Sequence, residues 1–104
     1  MLIYVDIDET ICLTPGSGAR DYTKAQPIQK NIDKINRLYE EGNTIVYWTA
    51  RGTISGIDWR QITEEQFESW GVKYNKLELK KPYYDLFIDD KAINSDTFFE
   101  KENS

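Results

Sequence analysis

The chain has 104 residues, which suits one domain with a single hydrophobic core, so residues 1–104 are predicted to form one domain. Its 39% hydrophobic and 13% aromatic residues exclude a disordered chain, and the formal net charge of −5 argues against a surface that binds nucleic acid. Histidine is absent, which excludes histidine-based zinc sites and Ser-His or Cys-His catalysis, and the single cysteine excludes an internal disulfide.

A short apolar run at residues 2–5 predicts a buried β-strand. Asp6 and Asp8 follow at its end, two residues apart. Because residues two apart on an extended chain point the same way, their carboxylates are expected to converge. Like charges that close are unfavourable unless a cation or a shared proton relieves them. The stretch from Asp6 to Thr10 is therefore the predicted centre of the functional site.

Residues 13–26 are rich in turn-forming residues and predict a surface loop beside the two aspartates. Pro27 suits the first turn of a helix, and Gly42 is well placed to end it. Between them apolar residues recur at helical spacing, which predicts an amphipathic helix whose apolar stripe is Ile28, Ile32, Ile35, Leu38 and Tyr39.

Residues 43–48 predict a second strand, nearly continuously apolar as in a parallel sheet that helices cover on both faces. Thr49 and Arg51 follow at its end, where the first strand has its two aspartates. Residues 53–62 predict a second polar loop.

Thr63 and Gln66 match a capping box, which predicts that a short helix has Thr63 as its N-cap, and Gly71 closes that helix. Residues 72–79 predict a third strand, centred on 74–77, whose charged side chains favour the edge of the sheet.

Residues 84–88 are apolar and predict a fourth strand that ends at Asp89 and Asp90. Lys80 and Lys81 lie shortly before it. The tail from residue 94 carries two phenylalanines and predicts a short helix or strand that frays at its end.

The alternation of strands and helices predicts an α/β fold with a mostly parallel sheet of about four strands in the order 4-1-2-3, flanked by helices. The carboxyl ends of such strands form the usual ligand site. If strand four lies beside strand one, Asp89 and Asp90 meet Asp6 and Asp8 there. Excess carboxylate without histidine favours a hard divalent cation such as Mg²⁺.

Such a site suits phosphoryl transfer, in which positioning and charge stabilisation dominate. A metal held by Asp6 and Asp89 attracts a phosphate, while Thr49 and a lysine contact the phosphoryl oxygens. Asp6 is then placed as a nucleophile and Asp8 as general acid and base. Arg51 is a further candidate for substrate contact.

These residues resemble the haloacid dehalogenase (HAD) superfamily of phosphatases in four ordered motifs. The motifs are the Asp-x-Asp-x-Thr stretch from Asp6 to Thr10, Thr49 at the end of strand two, a lysine, and the acidic pair Asp89 and Asp90. The lysine is Lys81, with Lys80 as the alternative.

The resemblance implies that Asp6 attacks phosphorus and forms an aspartyl-phosphate, and that Thr49 and Lys81 hold the phosphoryl group. It implies Mg²⁺ bound by Asp6, the backbone carbonyl of Asp8, and Asp89, with Asp90 direct or through water. Loops 13–26 and 53–62 are too short for a cap domain, so a capless phosphatase is implied.

The stretch from Thr49 to Lys91 is similar to small capless proteins associated with capsule and surface-polysaccharide synthesis, which implies a sugar phosphate or a related small metabolite as substrate. Two alternatives stay open: a metal- and phosphate-binding regulatory module without turnover, and a phosphatase for nucleotides or polynucleotide ends. We expect a cytoplasmic protein without a membrane span, and an open site leaves room for a homo-oligomer.

Overall fold

The structure, a computed structural model, describes residues 1–16 and 20–103 of the chain, with side chains described as far as residue 100. The elements in chain order are β1 (Leu2–Val5), β2 (Cys12–Leu13), β3 (Gln26–Pro27), α1 (Gln29–Glu40), β4 (Thr44–Trp48), α2 (Arg60–Trp70), β5 (Lys76–Glu78) and α3 (Ser95–Asn103).

Three strands form a parallel sheet in the order β1-β4-β5. Val5 pairs with Tyr47, and Tyr47 pairs with Leu77, so one face of the sheet presents these three buried side chains to the core. Because side chains alternate along a strand, Leu2 and Tyr4 point to the other face, where they are 63% and 53% exposed. The α/β class and the parallel sheet are therefore confirmed, and β5 is an edge strand as predicted.

All three helices contribute to the core on the Val5–Tyr47 face. Ile32 and Ile35 of α1 are 0% and 2% exposed, and each stabilises the fold by roughly 1.5–3 kcal/mol through burial. Phe67 of α2 packs edge-on against Tyr47, with ring centroids 4.9 Å apart, and Phe99 adds a contribution from α3. A short helix or strand was predicted for the tail, and the structure has the helix.

The predicted helix starts are wrong. α1 begins at Gln29, because Pro27 belongs to β3 and pairs with Cys12 of β2. α2 begins at Arg60 rather than after Thr63, so Thr63 lies inside the helix. Its hydroxyl donates to the carbonyl of Trp59 at 2.7 Å, one helical turn back, instead of capping the terminus.

The fourth predicted strand is also wrong, since residues 84–88 form no strand, and among the described residues the parallel sheet has three strands rather than the predicted four. Leu86 and Ile88 are 74% and 87% exposed. The chain is fixed just before this segment: Lys81 N donates to the carbonyl of Thr49 at 3.0 Å, and the hydroxyl of Thr53 donates to the carbonyl of Lys81 at 2.8 Å. The segment therefore leaves the body at the carboxyl end of the sheet.

The surface loop predicted over residues 13–26 contains regular structure. Strands β2 and β3 pair antiparallel at its two ends, and a 3₁₀ turn spans Tyr22–Lys24. The part of that prediction at residues 17–19 lies outside the described residues. In the part of the chain that is described, no helix is long and apolar enough to cross a membrane.

Candidate active site

Three of the predicted site residues meet at the carboxyl end of the sheet. Asp6 follows β1, Thr49 follows β4, and a backbone hydrogen bond to Thr49 holds Lys81 beside the end of β4. The Nζ atom of Lys81 lies 3.7 Å from Oδ1 of Asp6. A cleft of about 240 Å³ opens here, lined by Asp6, Ala50, Lys81, Pro82, Tyr83 and Tyr84.

The carboxylate of Asp6 is accessible, and its surroundings shift its pKa. Its side chain remains 43% exposed, so a ligand in the cleft can reach the carboxylate. Burial raises the pKa of Asp6 above its usual value, the positive charge of Lys81 opposes that shift, and the charge of Asp8 adds to it. The carboxylate is therefore more basic than an ordinary aspartate, with an ammonium group beside it.

Lys81 rather than Lys80 lies at the cleft. The side chain of Lys81 is 13% exposed, and its Nζ lies 5.3 Å from the ring centroid of Tyr84 and 5.7 Å from that of Trp48. Both aromatic faces favour the ammonium group at this place. Lys80 is exposed and does not line this cleft; its φ of 71° turns the chain so that Lys81 points to Asp6.

Asp8 is held by an ion pair with Arg51. Nε of Arg51 donates to Oδ2 of Asp8 at 3.0 Å, and Nη2 donates to Oδ1 at 2.9 Å. The hydroxyl of Thr14 donates to Oδ1 at 2.7 Å, and the thiol of Cys12 lies 3.5 Å from the same oxygen. This side chain is 16% exposed, so the fork of Arg51 fixes the orientation of a largely enclosed carboxylate.

Arg51 is buried, with 2% of its surface exposed, and its donors are satisfied inside the protein. Its Nη1 donates to Oε1 of Gln66 at 2.6 Å and to Oγ1 of Thr63 at 3.0 Å. The guanidinium also lies 4.7 Å from the ring centroid of Tyr22. The sequence suggested that Arg51 contacts substrate, but here its guanidinium faces Asp8.

Sequence reasoning missed the residues that support Arg51. Gln66 was expected to cap α2, whereas its Oε1 accepts from Arg51 and its Nε2 donates to the carbonyl of Tyr22. Thr63 and Gln66 are three residues apart, so they lie on the same face of a helix that begins at Arg60. A correct prediction of that helix start would have indicated that both side chains can contact one partner.

Thr49 is almost completely buried, at 1% exposed. Its hydroxyl oxygen accepts from the backbone N–H of Arg51 at 3.0 Å, which shapes the turn after β4. The backbone carbonyl of Thr49 therefore holds Lys81 beside the cleft, and its side chain fixes the turn that follows β4.

Asp89 and Asp90 do not join Asp6 within one chain. Both are exposed, and neither lines the cleft. Among the described residues no group of three or more metal-binding side chains forms. The carboxylate of Asp8 is bonded to Arg51, so the metal ligands that remain are the carboxylate of Asp6 and the backbone carbonyl of Asp8. These are fewer ligands than the Mg²⁺ site implied by the resemblance requires.

A larger cleft of about 810 Å³ lies on the β5 side, lined by the loop over residues 52–58, the end of β5, and the basic residues Arg60, Lys76 and Lys80. Gly52 makes this loop possible, since its φ is 83° and a side-chain carbon there would come within 2.1 Å of the carbonyl of Ile57. Asp6 is not part of its lining, so the smaller cleft carries the candidate chemistry.

Comparison with known proteins supports the fold without assigning a function. No family model matches the chain, and no curated protein matches it. The crystal structure of an MCSG target protein from Vibrio cholerae is similar, with a TM-score of 0.82 and 25% sequence identity. The match covers 97% of this chain and 98% of the Vibrio cholerae chain.

Proposed function

We propose that this protein is a phosphatase that hydrolyses phosphomonoesters through an aspartyl-phosphate on Asp6. The observation that carries the proposal is the pair of Asp6 and Lys81, a reachable carboxylate 3.7 Å from an ammonium group at the carboxyl end of a parallel sheet. In an open α/β sheet this is where ligands bind.

In the proposed first step, an oxygen of Asp6 attacks phosphorus, and the bond between phosphorus and the ester oxygen breaks. The raised pKa of Asp6 makes its carboxylate a better nucleophile than an exposed aspartate, while Lys81 keeps the ionised form accessible. In the second step, water attacks the aspartyl-phosphate and releases phosphate.

Lys81 has a second role in this scheme. Its ammonium group is positioned to stabilise the charge of the phosphoryl oxygens, and hydrogen bonds to Thr49 and Thr53 hold the backbone of Lys81 beside the cleft. Thr49 supports this arrangement indirectly, since its hydroxyl fixes the turn with Arg51 and its backbone carbonyl accepts from Lys81.

Asp8 is assigned the proton transfers, to the leaving oxygen in the first step and from water in the second. Arg51 orients its carboxyl, and Oδ2 of Asp8, which accepts from Nε of Arg51, keeps a second lone pair for the proton. Arg51 is therefore a positioning residue in this proposal, not a contact of the substrate.

The proposal is tested by the release of phosphate from an aryl phosphate in the presence of Mg²⁺. Asp6→Asn is expected to abolish hydrolysis, and Asp8→Asn to reduce it at least a hundredfold. Asp33→Asn is the matched control, because Asp33 is an exposed aspartate on α1 whose carboxylate accepts from Gln29. Full activity of Asp6→Asn would exclude the mechanism.

We propose a sugar phosphate or a related small metabolite of surface-polysaccharide synthesis as the substrate. The support is the similarity of the stretch from Thr49 to Lys91 to capless proteins of that kind. A panel of sugar phosphates, nucleotides and 5′-phosphorylated oligonucleotides, used as competitors of the aryl phosphate, distinguishes this substrate class from nucleotides and polynucleotide ends.

A second candidate function is a phosphate-binding regulatory module that does not turn over. It is favoured by one observation: both carboxylate oxygens of Asp8 are bonded to Arg51, and Oδ1 accepts from Thr14 as well. Calorimetric binding of phosphate without hydrolysis of any member of the panel would select this function.

A further inference from the structure

The larger cleft, on the β5 side of the sheet, has the size and the mixed lining of a small-molecule site. Its volume is about 810 Å³. Ligand sites in proteins usually have volumes of about 300–1,000 Å³ and combine apolar walls with a few polar groups. The apolar residues of this lining are Ile57, Leu77 and Leu79. Ile57 is 55% exposed, so the apolar wall is open to a ligand.

The charged part of this lining is positive on balance. It consists of four basic residues and two acidic residues, namely Arg51, Arg60, Lys76, Lys80, Asp58 and Glu78. The charge of Arg51 is matched by Asp8, which lies outside the lining. Glu78 is matched by Lys76, whose Nζ lies 2.9 Å from its Oε1. An anion that enters the cleft therefore meets Arg60 and Lys80, which Asp58 alone opposes within the lining.

Arg60 is fixed in place and keeps hydrogen-bond donors for a ligand. Its Nη2 donates to the carbonyl of Leu77 at 3.0 Å, which joins the start of α2 to β5. Oδ1 of Asp58 accepts from the backbone N–H of Arg60 at 3.0 Å. Nη1 lies 4.0 Å from Oε2 of Glu64, beyond hydrogen-bond distance, and both side chains are about half exposed. A guanidinium has five N–H donors, so most of those of Arg60 are left for a ligand.

Lys80 has a backbone conformation that is unfavourable for lysine. Its φ is 71°, in the left-handed region that glycine adopts more easily. Its side chain is exposed, and within the part of the chain that the structure describes it forms no ion pair. An unfavourable backbone conformation at a residue without a structural partner points to a function of the side chain.

We propose that the larger cleft is a second ligand site, which binds a small organic anion through Arg60 and Lys80. The planar fork of an arginine and the point charge of a lysine both suit the oxygens of a phosphate or a carboxylate. Ile57 and Leu79 would then contact the apolar part of the ligand. The site is distinct from the candidate active site, since Lys80 lines the larger cleft and the next residue, Lys81, lines the smaller one.

The first test titrates inorganic pyrophosphate and, separately, citrate into the isotope-labelled full chain, followed by NMR at constant ionic strength. The amide signals of Gly52 and Gly56, which line the larger cleft, are expected to shift with at least one probe. Those of Gly42 and Gly71, which line neither cleft, are expected to stay in place. The probe that binds more tightly shows whether the site prefers a phosphate or a carboxylate. Unshifted Gly52 and Gly56 signals with both probes, or equal shifts of all four glycines, overturn the proposal.

The second test removes the two cations one at a time. Lys80→Gln and Arg60→Gln are each expected to weaken probe binding about tenfold, because each removes a charged hydrogen-bond donor. Lys30→Gln is the matched control, at an exposed lysine on α1, and should leave the affinity unchanged. An affinity that Lys80→Gln does not change overturns the proposal.

Lys80→Gly separates binding from folding. Glycine adopts a φ of 71° without a side-chain clash, so the thermal midpoint should not fall, while the affinity for the probe should fall as in Lys80→Gln. A lower midpoint with unchanged affinity would show that Lys80 serves the fold alone, and it overturns the proposal.

Lys81→Gln shows which cleft holds the probe. The shifts of Gly52 and Gly56 should persist in this variant, because Lys81 lines the smaller cleft. Their loss would place the anion beside Asp6 and overturn the second site. None of these measurements depends on hydrolysis, so probe binding at Gly52 and Gly56 in a protein without phosphatase activity overturns the proposed function alone.

Discussion

Arg51 donates to both carboxylate oxygens of Asp8, at 3.0 and 2.9 Å, from a side chain that is completely buried. The two residues are 43 positions apart in sequence, and the pair joins the turn after β1 to the turn after β4. The ion pair thereby sets the position of Asp8, the second aspartate of the Asp-x-Asp stretch.

Replacement of Arg51 by Met is expected to lower the free energy of unfolding by about 3 kcal/mol, because the carboxylate of Asp8 then stays enclosed without its partner. The measurement is urea unfolding. In the double variant Asp8→Asn/Arg51→Met the loss should be smaller than the sum of the two single losses, since both changes remove one interaction. Additive losses would show that the pair contributes little. Arg51→Lys should also destabilise, because lysine lacks the planar fork.

Tyr47→Phe is expected to stabilise the protein. Tyr47 is 0% exposed, and its hydroxyl is a buried polar atom without a hydrogen-bond partner. Removal of an unsatisfied buried group should raise the free energy of unfolding by about 1 kcal/mol. Tyr4→Phe is the control, since Tyr4 is 53% exposed and its change should have little effect. A destabilised Tyr47→Phe would indicate that the hydroxyl has a partner in solution.

Asp6→Asn should raise the thermal midpoint at neutral pH although it removes the proposed nucleophile. Burial raises the pKa of Asp6 in the folded state above the usual aspartate value of 3.8, so the folded state binds this proton more tightly than the unfolded state. The contribution of protonated Asp6 to the free energy of unfolding is therefore fully present below pH 3.8, and it is lost as pH rises through the pKa of Asp6 in the folded state.

The advantage of Asp6→Asn over the wild type should therefore appear as pH rises above about 4 and disappear in more acidic buffer. Thermal melts of both proteins between acid and neutral pH measure it. An Asn variant that is less stable at neutral pH would mean that the attraction to Lys81 outweighs the cost of burying the charge.

Cys12 should not react with thiol reagents while the protein is folded. Its side chain is 0% exposed, and burial, together with the charge of Asp8, raises the pKa of the thiol to about 12. In an aromatic disulfide assay at pH 8, the native protein should modify slowly and the urea-unfolded protein rapidly. Arg51→Met should increase the native rate because it loosens the cluster and exposes the sulfur, an effect that opposes the higher thiol pKa caused by loss of the cation.

The amino-acid sequence by itself determined several local features. Apolar runs predicted β1 and β4, the helical stripe predicted α1, and the positions of Asp6 and Thr49 at the carboxyl end of the sheet follow from where those two runs stop. These features could be predicted because hydrophobic periodicity and turn residues act over a few positions of the chain.

Only the tertiary structure decided which long-range partners these residues have. The sequence places Arg51 at a strand end, but it does not show whether the guanidinium faces a substrate or the protein interior. Helix α2 decides this, because its start at Arg60 places Thr63 and Gln66 against the guanidinium. The apolar pattern of residues 84–88 predicts a buried strand, yet in the structure this segment follows the anchored Lys81 as an exposed stretch without strand pairing. A hydrophobic pattern reports that a segment favours burial, but the length and anchoring of the chain decide which surface it can reach.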